Sequence, residues 1–254
     1  MTSHELSEIM NFLSEYVTKQ LGSGVHTSRV IRNSRRIIEE LRLDVALAAF
    51  HKNVIISIWD KENETHLTRV VSIPALPVSF QMNSELSALS WEAYDEKLTL
   101  SDIRKRYFSI INKKNLSPLL ITICVSFANA SFCRLFGGDM IAMIVVLFST
   151  FIGCIIKNWL SSKKVINYFI FAITSLIVSA IASISVILDC NANIALATSP
   201  LFLIPGVPLI NGFIDIVEGH ILIGLSRIVN ALMLIFCIAV GLSITLMIVK
   251  NQLI

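Results

Sequence analysis

From Pro118 onward the chain is a succession of apolar stretches, separated by turns only a few residues long. Crossing ~30 Å of hydrocarbon takes roughly 20 apolar helical residues, and a helix does so because it pairs its own backbone groups. The stretches 118–136, 140–160 and 166–188 reach that length. Gly137-Gly138-Asp139, Ser161-Ser162-Lys163-Lys164 and Asp189-Cys190-Asn191-Ala192-Asn193 are the turns that follow them. A fourth stretch begins near Ile194 and is interrupted by Ile204-Pro205-Gly206-Val207-Pro208, and the last, 221–249, is long enough to cross once but not twice. The spacing predicts five spans, the fourth of them broken.

Charge follows the same division. Residues 1–117 carry 15 Lys/Arg and 14 Asp/Glu, whereas the other 137 residues carry six and four. The expected organisation is therefore a soluble domain, 1–117, joined to a membrane domain, 118–254. Overall composition, 54% hydrophobic and 15% charged, averages the two, and a net charge of +3 leaves no basic field that would hold a nucleic acid. MTSHELSEIM is polar and has no apolar core of a leader peptide. Arg104, Lys105, Arg106, Lys113 and Lys114 precede the first span, Lys157, Lys163 and Lys164 surround the second turn, and Arg227 follows the fourth span. Asp139 and Asp189 occupy the opposite turns, with Arg134 snorkelling nearby. Positive residues favour the cytoplasmic side, so the N-terminus is predicted inside and the C-terminus, with Lys250, outside.

Within 1–117, residues 5–21 and 27–41 show helical spacing about Gly22-Ser23-Gly24, and 44–50, 53–59 and 67–73 are short and β-rich. His51-Lys52 and residues 60–64 read as their turns, and Pro74 and Pro77 close the block. Helical spacing returns at 85–97 and 101–112, with Thr99 or Ser101 as cap. This pattern predicts an α+β domain with a small antiparallel sheet. Gly22-Ser23-Gly24 lacks a following Gly-Lys-Ser/Thr and reads as a helix–helix turn, not a phosphate loop. His4, His26, His51 and His66 have no second ligand at zinc spacing, the five cysteines form no C-x-x-C, and no nucleophile elbow is present. No cofactor, metal site or catalytic group is expected.

The polar residues of the apolar half carry the functional reading. Pro205 and Pro208 lack N–H groups and Gly206 lets the chain turn, so several backbone groups are freed around Ser199 and Asn211. Transporters use such broken helices to hold small charged solutes; the bland alternative is a kink satisfied by the Ser199 and Asn211 side chains. Asn211, Asp215 and Glu218 fall at i, i+4 and i+7 on one helical face, with His220 just beyond and Arg227 in the next span. Ionisable groups here mark ion or proton paths. Asp215 reads as facing a cavity, Glu218 and His220 equally as path or wetted turn, and Arg227 as their partner or as snorkelling. Ser126 and Asn129 read as interhelical glue, and Ser175, Ser179 and Ser183 as a close-packing stripe.

Leu203-Ile204-Pro205-Gly206-Val207-Pro208-Leu209-Ile210-Asn211-Gly212, followed by Asp215, Glu218-Gly219-His220 and Gly224-Leu225-Ser226-Arg227, resembles the threonine/serine exporter family in its short, split-type (YjjP-like) form. Gly24-Val25-His26-Thr27-Ser28-Arg29-Val30 and Thr68-Arg69-Val70 are similar more weakly, and an acidic residue expected near Thr27 is missing. The resemblance implies export of small polar metabolites, threonine and serine in some members and a dicarboxylate such as succinate in others, across the bacterial inner membrane. It also implies a small five-span partner subunit (YjjB-like), the two halves forming an inverted repeat with the solute between them. On this reading Ser199, Pro205, Gly206, Pro208, Asn211, Asp215, Glu218, His220 and Arg227 belong to the solute or ion pathway. A membrane-anchored enzyme would need a titratable cluster in 1–117, a sensor would need only one span, and a self-contained channel would need a homo-oligomer.

Overall fold

The computed structural model describes residues 3–60, 65–113, 116–163, 165–188 and 190–249. The predicted turn at 60–64 lies, after Asp60, outside them, as do Lys114, Lys164, Asp189 and Lys250. The chain is mostly helical and forms two compact units, one of Met1–Lys114 with Val207–Val229, the other of Asn115–Gly206 with Asn230–Ile254.

In the first unit, α1 (Ser3–Gly22) is buried on two sides. Leu6, Ile9, Met10, Leu13 and Val17 pack with Val54, Ile56 and Ile58 of the sheet, while Phe12 and Tyr16 pack with Leu86, Leu89, Ile103 and Tyr107. The sheet is an antiparallel meander of β1 (Asp44–Ala49), β2 (Asn53–Asp60) and β3 (Thr65–Ser72), in which Leu47 pairs with Ile56 and Ile56 with Arg69. Every second residue of β2 is buried, as a half-covered sheet requires. Helices α2 (Thr27–Glu40), α3 (Phe80–Asp95) and α4 (Leu100–Ile111) complete this part.

Thr99 caps α4, its hydroxyl accepting from the Asp102 N–H and donating to the Asp102 carboxylate. The helix predicted from Glu85 begins five residues earlier, at Phe80, because Ser79 caps it by accepting from the Met82 N–H. Phe80 is largely exposed and Met82 only partly buried, so the first turn has little apolar burial to announce it.

The second unit holds α5 (Pro118–Leu135), α6 (Met140–Ser162), α7 (Asn167–Ala182), α8 (Ile184–Ile187), α9 (Ala192–Thr198) and a 3-10 turn at Leu201–Leu203. Ser117 caps α5 directly before Pro118, and Asp139 caps α6 through the Ala142 N–H. Arg134 donates to the Gly138 carbonyl in the turn between α5 and α6. Among the described residues, four helices are long and apolar enough to cross a membrane. A fifth crossing exists if Ala192–Leu203 and α10 (Gly206–Val217), bent by 62° at the break, count as one span. The final stretch is a single helix, α11 (Ile221–Val249), and the boundary between the units falls within it.

Burial in this unit is inverted relative to a water-soluble protein. Ser126, Ser149, Thr150, Thr174, Ser175 and Ser179 are buried, whereas Phe127, Phe148, Phe169 and Phe236 face outward. Small residues inside and large apolar ones outside are what hydrocarbon solvent selects. Ser175 donates to the Ile238 carbonyl and Ser179 bonds Thr245, so these two serines of the stripe pack on α11 near Gly241, while Ser183 bonds back to the Ala180 carbonyl. The chain is a multi-pass membrane protein.

Candidate functional site

Four of the sequence-predicted residues converge in the first unit. Helix α10 turns Asn211, Asp215 and Glu218 toward the segment that links α1 to α2, while Ile210, Phe213 and Val217 face outward. Asn211 Nδ2 donates to the Gly24 carbonyl at 2.6 Å. Asp215, fully buried, accepts the Thr27 backbone N–H at 2.7 Å and the Arg227 guanidinium at 2.8 Å. Arg227 also donates to the Val25 carbonyl at 3.1 Å. Helices α10 and α11, distant in sequence from α2, thus close around residues 24–27.

The physical logic is that of a helix cap supplied from elsewhere. His26 holds the N-cap position of α2, but its side chain makes no capping bond. The first N–H groups of a helix need acceptors and favour negative charge, and the Asp215 carboxylate meets both needs at Thr27. Arg227 in turn supplies the opposite charge without which a buried carboxylate is costly. Gly24, at φ +87°, makes the turn, and a Cβ there would press on Val78. Helices α10 and α11 approach closely enough to place Arg227 because Gly212 and Gly224 face each other.

At the solvent end, Glu218 is partly exposed and lies 3.2 Å from His26 Nδ1 and 3.5 Å from Arg32. A Ser28 hydrogen bond, followed by the charges of His26 and Arg32, holds the Glu218 carboxyl below its usual range. Burial pushes His26 down, outweighing the pull of Glu218, and the ring is not aligned for a hydrogen bond to that carboxylate. His26 therefore folds preferentially neutral. Its contribution to stability is present above its ordinary value of 6.5 and is lost as pH falls through its lower folded value. Unfolding followed from pH 7.5 to 5.5 is expected to show decreasing stability over that window, with a shallower slope for His26→Asn.

The remaining candidates lie elsewhere. Gly219, at φ +88°, ends α10, where the His220 N–H returns to the Asp215 carbonyl at 2.7 Å. His220 then precedes α11. Pro208 lies in the first turns of α10, after Pro205 and Gly206.

Ser199 belongs to the interior of the second unit. Pro200 cannot donate to the Leu196 carbonyl, and the Ser199 hydroxyl does so instead at 3.1 Å. The next free carbonyls, those of Thr198 and Ser199, are met by Asn129 Nδ2, which also donates to Thr150 Oγ1 at 2.7 Å. Asn129 thereby caps the end of α9 from α5, a role that sequence spacing does not reveal. Among the described residues, no group of three or more His, Cys, Asp or Glu side chains is placed to hold a metal ion.

Asn129→Leu keeps the branching at Cγ but leaves two carbonyls and a hydroxyl without their donor. A cost of about 2–4 kcal/mol is expected from buried groups left unsatisfied, read as a lowered unfolding temperature in detergent. Ser126→Ala, which removes only a bond back to the Thr122 carbonyl, is the mild comparison.

The family described as "Putative threonine/serine exporter" matches residues 14–249, and the chain belongs to that family. It is 28% identical over 231 residues to the "Probable succinate transporter subunit YjjP" of Klebsiella aerogenes, covering 89% of each chain. It is 26% identical over 231 residues to the protein of the same description in Escherichia coli K12, covering 89% of this chain and 90% of that one. No solved structure matches the chain. Two of the three stretches whose resemblance is visible in the sequence, 24–30 and 203–227, meet in the clamp.

Proposed function

We propose that the chain is one subunit of a secondary transporter that exports small polar metabolites across the bacterial inner membrane. The solute is a threonine- or serine-type amino acid or a dicarboxylate such as succinate. The observation that carries this reading is the family match across residues 14–249. Residues 1–117 form the cytoplasmic domain, the N-terminus lies inside, and five spans cross the bilayer with the fourth broken at Ile204-Pro205. A small five-span partner subunit supplies the second half of the pathway, which fits relatives whose names call them subunits.

In this reading Ser199, Pro205, Gly206 and Pro208 form the break of the fourth span, which borders the solute path while the Ser199 hydroxyl and Asn129 meet the carbonyls freed at Leu196, Thr198 and Ser199. Asn211, Asp215 and Arg227 hold α10 to the start of α2, and Glu218 with His220 occupies the solvent end. Glu218 is the candidate for proton exchange because its carboxylate reaches water, while Asp215 is sealed by its ion pair.

Efflux of preloaded threonine, serine and succinate tests the proposal in cells carrying this chain, the partner, both or neither. Faster efflux of at least one solute is expected only with both. Equal efflux with and without this chain would overturn the reading.

A further inference from the structure

A cleft of about 380 Å³ opens in the second unit between α5 and the irregular segment after α9, lined by Asn129, Phe132, Phe136, Leu201, Phe202 and Ile204. Its lining is almost wholly apolar, which suits neither an amino acid zwitterion nor a dicarboxylate. Asn129, 2% exposed, is its polar group. The amide nitrogen is already turned to Thr150, Thr198 and Ser199, so the side chain offers the cleft its oxygen, Oδ1. Among the described residues no donor reaches that oxygen.

Depth sharpens the point. Asn129 is eleven residues into α5, roughly 17 Å along the helix axis at 1.5 Å per residue, near the middle of a ~30 Å core. Irregular backbone at such depth is tolerated where protein or water covers it, not where lipid does. The 3-10 turn at Leu201–Leu203 and the extended Ile204 lie in the wall of this cleft. A lipid acyl chain would fill the apolar space but has no donor for Oδ1.

We infer that the cleft seats a transmembrane helix of the partner subunit, an apolar helix carrying one hydroxyl or amide donor that bonds Asn129 Oδ1. This rests on the two-subunit reading above. The occupant comes from outside the chain: it covers the irregular segment, meets the unpaired acceptor and places the break of the fourth span at the subunit boundary. The apolar character of the cleft then reflects helix packing, and the solute path runs elsewhere along the same interface.

The test uses full-length protein expressed in membranes with its five-span partner. The photo-cross-linking residue benzoylphenylalanine is placed at Phe132, in the cleft, and in a second protein at Phe148, exposed on α6. Adducts to the partner polypeptide are expected at least tenfold more from position 132 than from 148. Ala128→Trp, which fills the cleft from its wall, is expected to reduce co-purified partner at least tenfold while membrane yield is kept. Adducts from 132 to lipid alone, or to a second copy of this chain alone, overturn the inference. So does a partner yield among cross-links that is no higher from 132 than from 148. If the partner co-purifies and efflux needs it but the cleft gives no adduct, only the inference fails. If the partner neither co-purifies nor affects efflux, the two-subunit reading fails with it.

Discussion

Asp215→Ala is expected to cost about 3–5 kcal/mol, the range for removing one partner of a buried ion pair. The substitution strands the Arg227 guanidinium, whose side chain is 14% exposed, and leaves the Thr27 N–H at the start of α2 without its acceptor. At about 2–4 °C per kcal/mol for a chain of this size, the unfolding temperature in detergent should fall by roughly 6–20 °C. Asp215→Asn keeps an acceptor for Thr27 but loses the charge, so an intermediate loss is expected. Asp215→Leu combined with Arg227→Leu should lose less than the two single changes added together, because neither charge is then stranded. Additive losses in that cycle would show that the pair does not act as a unit. The same variants measured for efflux separate a structural clamp from a proton-carrying carboxylate. A stable Asp215→Asn protein with normal efflux assigns Asp215 to holding α10 in place.

The second large effect is expected at Gly224. A Cβ there would stand 2.7 Å from the Gly212 carbonyl oxygen and 3.0 Å from the Ile216 backbone nitrogen, atoms that cannot rotate aside, and 2.7 Å from Ile216 Cγ1. Gly224→Leu is expected to cost about 3 kcal/mol or more, at or beyond the upper end for overpacking. It also separates Arg227 from Asp215, because α11 can no longer lie close to α10. Gly206→Ala makes the control: a Cβ at Gly206 meets nothing within 4 Å, and the position starts α10. Thermal unfolding of the two variants, with proteolysis at residues 22–27 as a readout of the clamp, distinguishes a local packing defect from general fragility. Equal unfolding temperatures for both would refute the close-approach account.

Much of this architecture is legible in the residues themselves, and the parts that are not share a cause. Apolar length and the placement of charge locate the long helices, and Ser117 before Pro118 and Asp139 after Gly137-Gly138 mark two of their starts. The face shared by Asn211, Asp215 and Glu218 follows from helical period alone. What that face meets does not, because its partners are the Gly24 carbonyl and the Thr27 N–H, backbone groups that every residue type offers. The Asn129 role is hidden for the same reason: its acceptors are carbonyls of Thr198 and Ser199, freed by a helix end some 70 positions away. The early start of α3 at Phe80 escapes periodicity because its first turn buries little. Local rules reveal where backbone groups are freed, while only the fold reveals which side chain answers them.

The clamp also sets an order of events during synthesis. The bonds from Asp215 and Arg227 to residues 25–27 close loops of about 190 to 200 residues. At roughly 5–20 residues per second, α2 emerges from the ribosome some ten to forty seconds before the carboxylate that will cap it. Throughout that interval the N-terminal helices and sheet must persist with an uncapped α2, while the apolar stretches enter the bilayer one after another. The Asp215–Arg227 closure is therefore a final step of biogenesis. A chain truncated before Asp215 leaves the Thr27 N–H at the front of α2 without its acceptor.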